Sequence, residues 1–369
     1  MIFTVFLPKR AILAYNYFLI THSIKILILS LFQENPLDCN LMSTILGALC
    51  TSVISSLVIG YYFIKYFHTW IASGIREYVP TSHAHKQGTP TLGGVYLLFV
   101  IMVNACLWCH HSMHYIWQIM CIMISFGAIG LVDDWYKLRY KKGITARQKF
   151  IMQWVVALSN TALLMYTEVL PTTIVIPGTP YALQVSLIFY LWAAFIMIST
   201  SNAVNLTDGL DGLATVASIP VVCFFIFLFS IPACVPYIAS YYAAPLALFS
   251  AIIAGTLGGF LWHNSYPARL FMGDVGSLAL GAGIAALALI AKAELLLPFL
   301  GIIFVVETVS VMIQVCMFRR YKKRFFLMAP LHHHFELRGM HETTITTRAA
   351  LIAITIAILS AYFMNFMCA

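Results

Sequence analysis

The chain holds six aspartates, and five of them, Asp133, Asp134, Asp208, Asp211 and Asp274, stand beside long apolar runs. Carboxylates next to lipid are expensive and usually mark function. Asp133 and Asp134 are adjacent at the end of such a run. Their charges repel unless a cation or a phosphate-bound metal lies near, so a solvated loop explains a lone Asp but not this pair. In Ser201-Asn202-Ala203-Val204-Asn205-Leu206-Thr207-Asp208-Gly209-Leu210-Asp211-Gly212, a polar side chain recurs every third residue, at Asn202, Asn205, Asp208 and Asp211. On a helix these form one slowly drifting stripe. Gly209 and Gly212 permit a break and let a ligand approach the backbone. Amide and carboxylate oxygens are the hard donors that Mg²⁺ takes. Asp274 sits between Gly273 and Val275-Gly276, just before another apolar run. It could cap a helix, but the other acids gather at similar run ends, which favours a metal ligand. Asn264 lies in the connection that leads to it.

Cationic and imidazole groups add to the set. His83-Ala84-His85-Lys86-Gln87-Gly88-Thr89-Pro90-Thr91-Leu92-Gly93-Gly94 offers Lys86, Thr91 and glycines that could cradle a phosphate. Lys137 and Lys149 follow the aspartate pair. His332, His333 and His334 are consecutive; they cannot all face one metal from a helix, but they can donate hydrogen bonds to a phosphate or sugar. Glu307 lies inside an apolar run with Gln314 two turns on, and reads equally as a site acid or a structural hydrogen bond. Cys106-Leu107-Trp108-Cys109-His110 has the spacing of a haem attachment, yet it ends an apolar run and is read as a helix end.

Long apolar elements must position these groups. Of 369 residues, 61% are hydrophobic and 9% charged, against roughly 25% charged in a soluble domain. The solvent is therefore lipid. A window of about 19 residues finds ten apolar segments, near 43–64, 93–109, 116–132, 150–167, 185–203, 213–231, 237–260, 275–292, 294–318 and 349–368. Backbone in lipid must pair internally, so each is expected to be a helix. The fold expected is an all-α integral membrane protein of about ten transmembrane helices.

The loops orient it. Lys65, Arg76 and Lys86 lie in the first connection, and Lys137, Arg139, Lys141, Lys142, Arg147 and Lys149 in the third. Arg269 is in the seventh, and Arg319, Arg320, Lys322, Lys323, Arg324, Arg338 and Arg348 are in the ninth. The even connections carry Lys292 alone. The positive-inside rule places the odd loops, and with them a cytoplasmic-face active site, in the cytoplasm. The net charge of +8 is thus a topology signal and not a sign of nucleic acid. Residues 1–42 stand apart as an N-terminal extension: 11–32 is apolar but contains Lys25, and reads as an interfacial helix, an eleventh span or the product of an early start codon. Residues 43–369 read as one ten-helix transmembrane domain.

Together, HAHKQGTPTLGG (83–94), DDWYK (133–137), SNAVNLTDGLDGL (201–213), FMGDVGS (271–277) and LHHHFE (331–336) resemble the polyprenyl-phosphate N-acetylhexosamine-1-phosphate transferases. The aspartate motifs belong to the whole superfamily; the GTPT segment and the histidine triple point to its muramoyl-pentapeptide branch. Leu92 replaces a Met usual in that segment. The resemblance runs from about residue 43 to 369. It implies a bacterial inner-membrane enzyme of peptidoglycan synthesis that uses Mg²⁺, UDP-MurNAc-pentapeptide and undecaprenyl phosphate, releases UMP, and leaves room for a homodimer. It further implies Asp274 as metal ligand; Asp133, Asp134, Asp208, Asp211 and His333 as catalytic; and Lys86, Thr91, Lys137, Lys149, Asn202, Asn205, Asn264, His332 and His334 as substrate contacts. A sister transferase for another UDP-N-acetylhexosamine shares the acids but not the GTPT and histidine segments. A membrane transporter would place its ionisable groups near the bilayer midplane with repeat symmetry, and here only Glu307 lies deep.

Overall fold

The computed structural model describes residues 39–67, 89–109, 113–167, 169–177, 179, 181–235 and 240–368. Lys86 and the histidines beside it lie outside the described residues, as do residues 1–38 of the extension. The chain divides into two units, Met1–Met42 and Ser43–Ala369, and every motif that carries a polar cluster belongs to the second.

Each of the ten apolar segments contains a helix. In chain order these are α1 (Cys39–Phe67), α2 (Gly93–Trp108), α3 (Met113–Tyr140), α4 (Ala146–Tyr166), α5 (Ile188–Thr207), α6 (Leu213–Ser230), α7 (Ser240–Asn264), α8 (Gly273–Ile290) and α9 (Ile302–Tyr321). The short α10 (Leu331–Leu337) and the long α11 (Glu342–Cys368) complete the set. Among the described residues, eight helices are long and apolar enough to cross a membrane; α2, with 16 residues, is shorter. Between α4 and α5, strands β1 (Thr173–Val175) and β2 (Ala182–Gln184) pair antiparallel, Thr173 opposite Gln184. The protein is an all-α integral membrane protein, and among the described residues this small hairpin is its sheet.

Two expectations need correction. The run 294–318 is not one helix: a four-residue turn, Leu297–Leu300, is separated from α9 by Gly301. The stripe from Asn202 to Asp211 is not one helical face. Helix α5 stops at Thr207, Asp208 caps it, and Gly212 takes the left-handed conformation (φ 75°) that starts α6. Asn202 and Asn205 therefore ride on the helix, whereas Asp208 and Asp211 belong to the turn after it.

The organising element is α8, whose residues from Asp274 to Ile290 are all buried. Its neighbours reach it through glycines. A Cβ on Gly94 of α2 would collide with the backbone of Gly276, and one on Gly130 of α3 would collide with the carbonyl of Asp274. A Cβ on Gly281 would lie 2.6 Å from Cα of Ser201 in α5. These backbone approaches lock the start of α8 against α2 and α3, and its middle against α5.

The far end of α8 carries a sealed charge pair. Lys292 and Glu294 are 3% and 1% exposed. Lys292 Nζ donates to the carbonyl of Pro171 at 2.6 Å and stands 4.3 Å from the centre of the Phe189 ring. Burial pulls the Lys292 ammonium down to about 8, against the opposing charge of Glu294, and pushes the Glu294 carboxyl up to about 7.

Candidate active site

At the start of α8 three carboxylates meet two ammonium groups. Lys137 lies one turn beyond Asp133 and Asp134 on α3, so all three project from the same end of that helix. Lys137 Nζ is 2.8 Å from Asp133 Oδ2, 3.2 Å from Asp134 Oδ1 and 3.0 Å from Asp274 Oδ2. Lys149 Nζ lies 2.5 Å from Asp274 Oδ2 and 3.6 Å from Asp133 Oδ2. Three negative charges against two positive ones leave a site that a further cation would complete.

Local sequence explains why these groups arrive together. Lys149 sits in the first turn of α4, which opens with a capping box: Thr145 Oγ1 accepts from the Gln148 amide, and Gln148 Oε1 accepts from the Thr145 amide. Asp133 Oδ1 accepts from the Ile144 amide at 2.8 Å, tying the turn before α4 to α3. A Cβ on Gly143 would collide with that same oxygen. The peptide from Pro90 to Gly94 pairs with the one before α8: the Phe271 amide donates to Pro90 O, and the Gly93 and Gly94 amides donate to Phe271 O and Met272 O. Gly273, at φ 73°, then turns the chain into α8 between Thr91 and Asp134. Asp134 Oδ2 accepts from the Val275 amide at 3.3 Å, at the helix end where the macrodipole favours a negative charge.

The α5 turn joins this centre from the other side. Asn205 Nδ2 donates to Asp274 Oδ1 at 3.1 Å and to Ser277 Oγ at 2.8 Å. Asn202 is one turn away and pairs with Gln153 of α4, each amide donating to the other. Asp208 follows directly as the cap. Asp211 Oδ2 accepts from the Ala268 amide at 2.9 Å, and its own amide donates to Glu342 Oε1 at 2.5 Å. Asn264 accepts from Thr215 Oγ1 and donates to Leu270 O, so its amide braces the connection before α8.

The three histidines diverge. The His332 ring is enclosed, with Nδ1 3.1 Å from Glu307 Oε2. His333 Nδ1 is 2.6 Å from Glu336 Oε2. His334 Nδ1 accepts from the Leu327 amide. Gln314, one turn-pair beyond Glu307 on α9, accepts from the Phe325 and Phe326 amides and so holds the stretch that leads to α10. The structure thus brings Thr91, Asp133, Asp134, Lys137, Lys149, Asn205 and Asp274 into one cluster. Asp208 and Asp211 stand on the adjoining turn, with His332 of α10 against it, while Asn202, Asn264 and His334 make ties within the fold. Gln153, Ser277 and Glu342 are not singled out by the sequence pattern; Ser277 closes the FMGDVGS motif, and the other two each lie in an early helical turn next to a named cluster.

Among the described residues, no group of three or more His, Cys, Asp or Glu is already arranged to hold a metal. The donors themselves suit Mg²⁺: carboxylate oxygens of Asp133, Asp134 and Asp274 surround a single ammonium. A hard cation of this kind commonly takes one or two carboxylates and completes its shell with water and substrate phosphate.

Comparison with known proteins identifies relatives of the chain. Residues 116–292 match the family model described as glycosyl transferase family 4. Three curated relatives, from Buchnera aphidicola subsp. Acyrthosiphon pisum strains 5A, Tuc7 and APS, are each named phospho-N-acetylmuramoyl-pentapeptide-transferase. Each is 38% identical over 325 residues, covering 85% of this chain and 91% of the relative.

Proposed function

The chain belongs to the phospho-N-acetylmuramoyl-pentapeptide-transferase family, and from that premise we propose that it transfers phospho-N-acetylmuramoyl-pentapeptide from UDP-MurNAc-pentapeptide to undecaprenyl phosphate. The products are lipid I, which stays in the membrane, and UMP. The observation that carries the reading is the gathering of Asp133, Asp134 and Asp274 around Lys137 and Lys149 at one end of the buried α8.

Attack of one phosphate on another sets anion against anion, so the site must neutralise charge where it develops. Lys137 and Lys149 are placed to bind phosphate oxygens. Asn205 holds Asp274 in orientation, and the turn with Asp208 and Asp211 receives the nucleotide end. Asp274, with Asp133 and Asp134 beside it, would hold Mg²⁺, which neutralises and orients the diphosphate when bound. The second pKa of a phosphate monoester is about 6, so the lipid phosphate is largely a dianion at neutral pH. Its oxygen bonds to the sugar-bearing phosphorus, the bond from that phosphorus to the bridging oxygen breaks, and UMP leaves. Asp133 takes the proton of the residual monoanion and orients it in line. No protein nucleophile is required.

The basic loops support a site facing the cytoplasm, and the compact unit Ser43–Ala369 supports a single transferase domain of about ten helices; the same reading includes an inner-membrane setting and leaves room for a homodimer. Purified protein with Mg²⁺, UDP-MurNAc-pentapeptide and undecaprenyl phosphate should yield lipid I and UMP. Turnover of a different UDP-N-acetylhexosamine, with none of this one, would refute the assignment. Without the lipid, no burst of UMP stoichiometric with enzyme is expected; such a burst would mean a covalent intermediate.

A further inference from the structure

Helix α9 has little of its surface inside the protein. The narrow buried face of this largely exposed helix is made by Phe304, Glu307 and Ser310. An acid there is costly in lipid unless it is compensated, and Glu307 is only 7% exposed. Its Oε2 has two neighbours, both from one residue: it accepts from the His332 amide at 3.2 Å and lies 3.1 Å from His332 Nδ1. A structural tie would need only the amide. The second contact sets the carboxylate charge against the Nδ1 edge of the ring without forming a hydrogen bond, and it favours the ring orientation that keeps Nδ1 toward Glu307 and turns Nε2 the other way.

The other nitrogen points at the site. A Cβ on Gly209 would collide with His332 Nε2, so that edge of the ring lies against the turn immediately after Asp208. Among the described residues neither ring nitrogen of His332 has a hydrogen-bond partner, although the residue is 1% exposed; Nδ1 has the Glu307 charge beside it, and Nε2 has no such neighbour. A buried polar atom left without a partner is costly, and here substrate would supply one. The neighbouring imidazole is served separately: His333 packs 4.3 Å away, centre to centre, and has Glu336 at its own Nδ1. Glu307 is therefore dedicated to His332.

We propose that Glu307 is a positioning residue for the transfer reaction, holding the His332 ring so that Nε2 is presented at the Asp208–Gly209 turn; this deepens, and rests on, the transferase reading above. The test is a double-mutant cycle with steady-state kinetics and thermal unfolding in detergent. Glu307→Gln keeps an acceptor for the His332 amide and removes the charge at Nδ1. It should lower kcat about tenfold, as loss of an orienting partner does, with KM for the nucleotide within about twofold and unfolding unchanged. In a His332→Gln background, Glu307→Gln should add no further loss, because coupled residues are not additive. Should Glu307→Gln lower the unfolding temperature, Glu307→Asp decides: recovery of kcat with the charge restored supports the proposal, and no recovery refutes it. Full additivity with His332→Gln, or wild-type kcat in Glu307→Gln, also overturns it. Wild-type turnover in the same assay separates failure of this inference from failure of the transferase reading.

Discussion

The two ends of α8 solve the same problem differently. Both place charge at the rim of an apolar bundle, and each bears the sign the helix dipole prefers: Asp274 in the first turn, Lys292 just beyond the last. At the Asp274 end the charges form an open network, with side chains of Lys137 and Lys149 29% and 16% exposed. Every carboxylate there touches more than one partner. At the Lys292 end a single pair is sealed from solvent, and desolvation drives both groups toward neutrality. The difference teaches what each end is for. An open, over-acidic cluster can exchange its internal partners for a ligand, whereas a closed pair can only hold α8 against the Pro171 segment.

Breaking the open end should have the largest effect. Asp274→Asn removes one charge without changing shape, and UMP release at limiting Mg²⁺ should fall on the order of a hundredfold or more, the scale of losing one preorganised electrostatic group. Unfolding temperature should be retained; near-wild-type turnover would refute the role of Asp274. Next comes the packing that delivers Asp274 to the lysines. Gly130→Ala forces a Cβ into the Asp274 carbonyl, so it should cost about 1–3 kcal/mol and reduce kcat together with stability. Gly258→Ala is the control, since its Cβ would meet only Val53, at 3.7 Å, and both quantities should stay near wild type. Equal losses in the two variants would show that close approach to α8 is not what matters.

The sealed end should reveal itself in stability alone. The Glu294 carboxyl is raised from 4.5 to about 7, so between those values the folded state holds a proton that the unfolded state has lost. Its stabilisation is present below 4.5 and disappears as pH rises through 7. Lys292 is lowered from 10.5 to about 8, so its stabilisation is present above 10.5 and disappears as pH falls through 8. The pair is therefore least favourable between about pH 7 and 8. Thermal unfolding of the wild type, compared with Lys292→Met/Glu294→Leu from about pH 5 to 10, should show a shallow minimum there that the double variant lacks. A flat difference would refute the burial account. The smallest effect is expected from starting the chain at Met42, because residues 1–41 contain none of the reactive clusters. Insertion and turnover should persist, and loss of turnover with insertion intact would give the extension a role.

Much of this comparison is legible in the sequence, for identifiable reasons. Long apolar runs can only be helices in lipid, so a helix stands in each of the ten places that hydropathy marks. Adjacent acids at a helix end demand a cation, and Asp133 and Asp134 have Lys137 between them. The period of three singles out Asn205, and it reaches Asp274 from the helical part of that stripe. The remainder depends on which surfaces meet, and that is not local. Nothing near Asp211 in the chain announces Glu342, 131 residues away. The place of Asn264 beside a motif suggests a substrate contact, but its amide bonds brace the loop. Glu307 supports two readings in sequence because its partner, His332, lies 25 residues on. The sealed pair cannot be read from the chain, because Lys292 looks like a lone loop charge until the Pro171 carbonyl is seen beside it.

Helix α8 also sets where this enzyme can evolve. From Val275 to Ile290 it is built of glycine, alanine, serine and medium-sized aliphatic residues, all of them buried, and its neighbours touch it backbone to backbone. There is no spare volume for a larger side chain and no solvent-facing position on which to try one. Drift in preference for one sugar phosphate or lipid over another is closed off along this helix. It must instead run through the turns at 141–145 and 208–212 and through α10, which border the site and of which only some side chains, Leu210 and Phe335 among them, also pack in the core. Under selection, substitutions that change what the enzyme accepts should collect in those three segments, while α8 changes least of all.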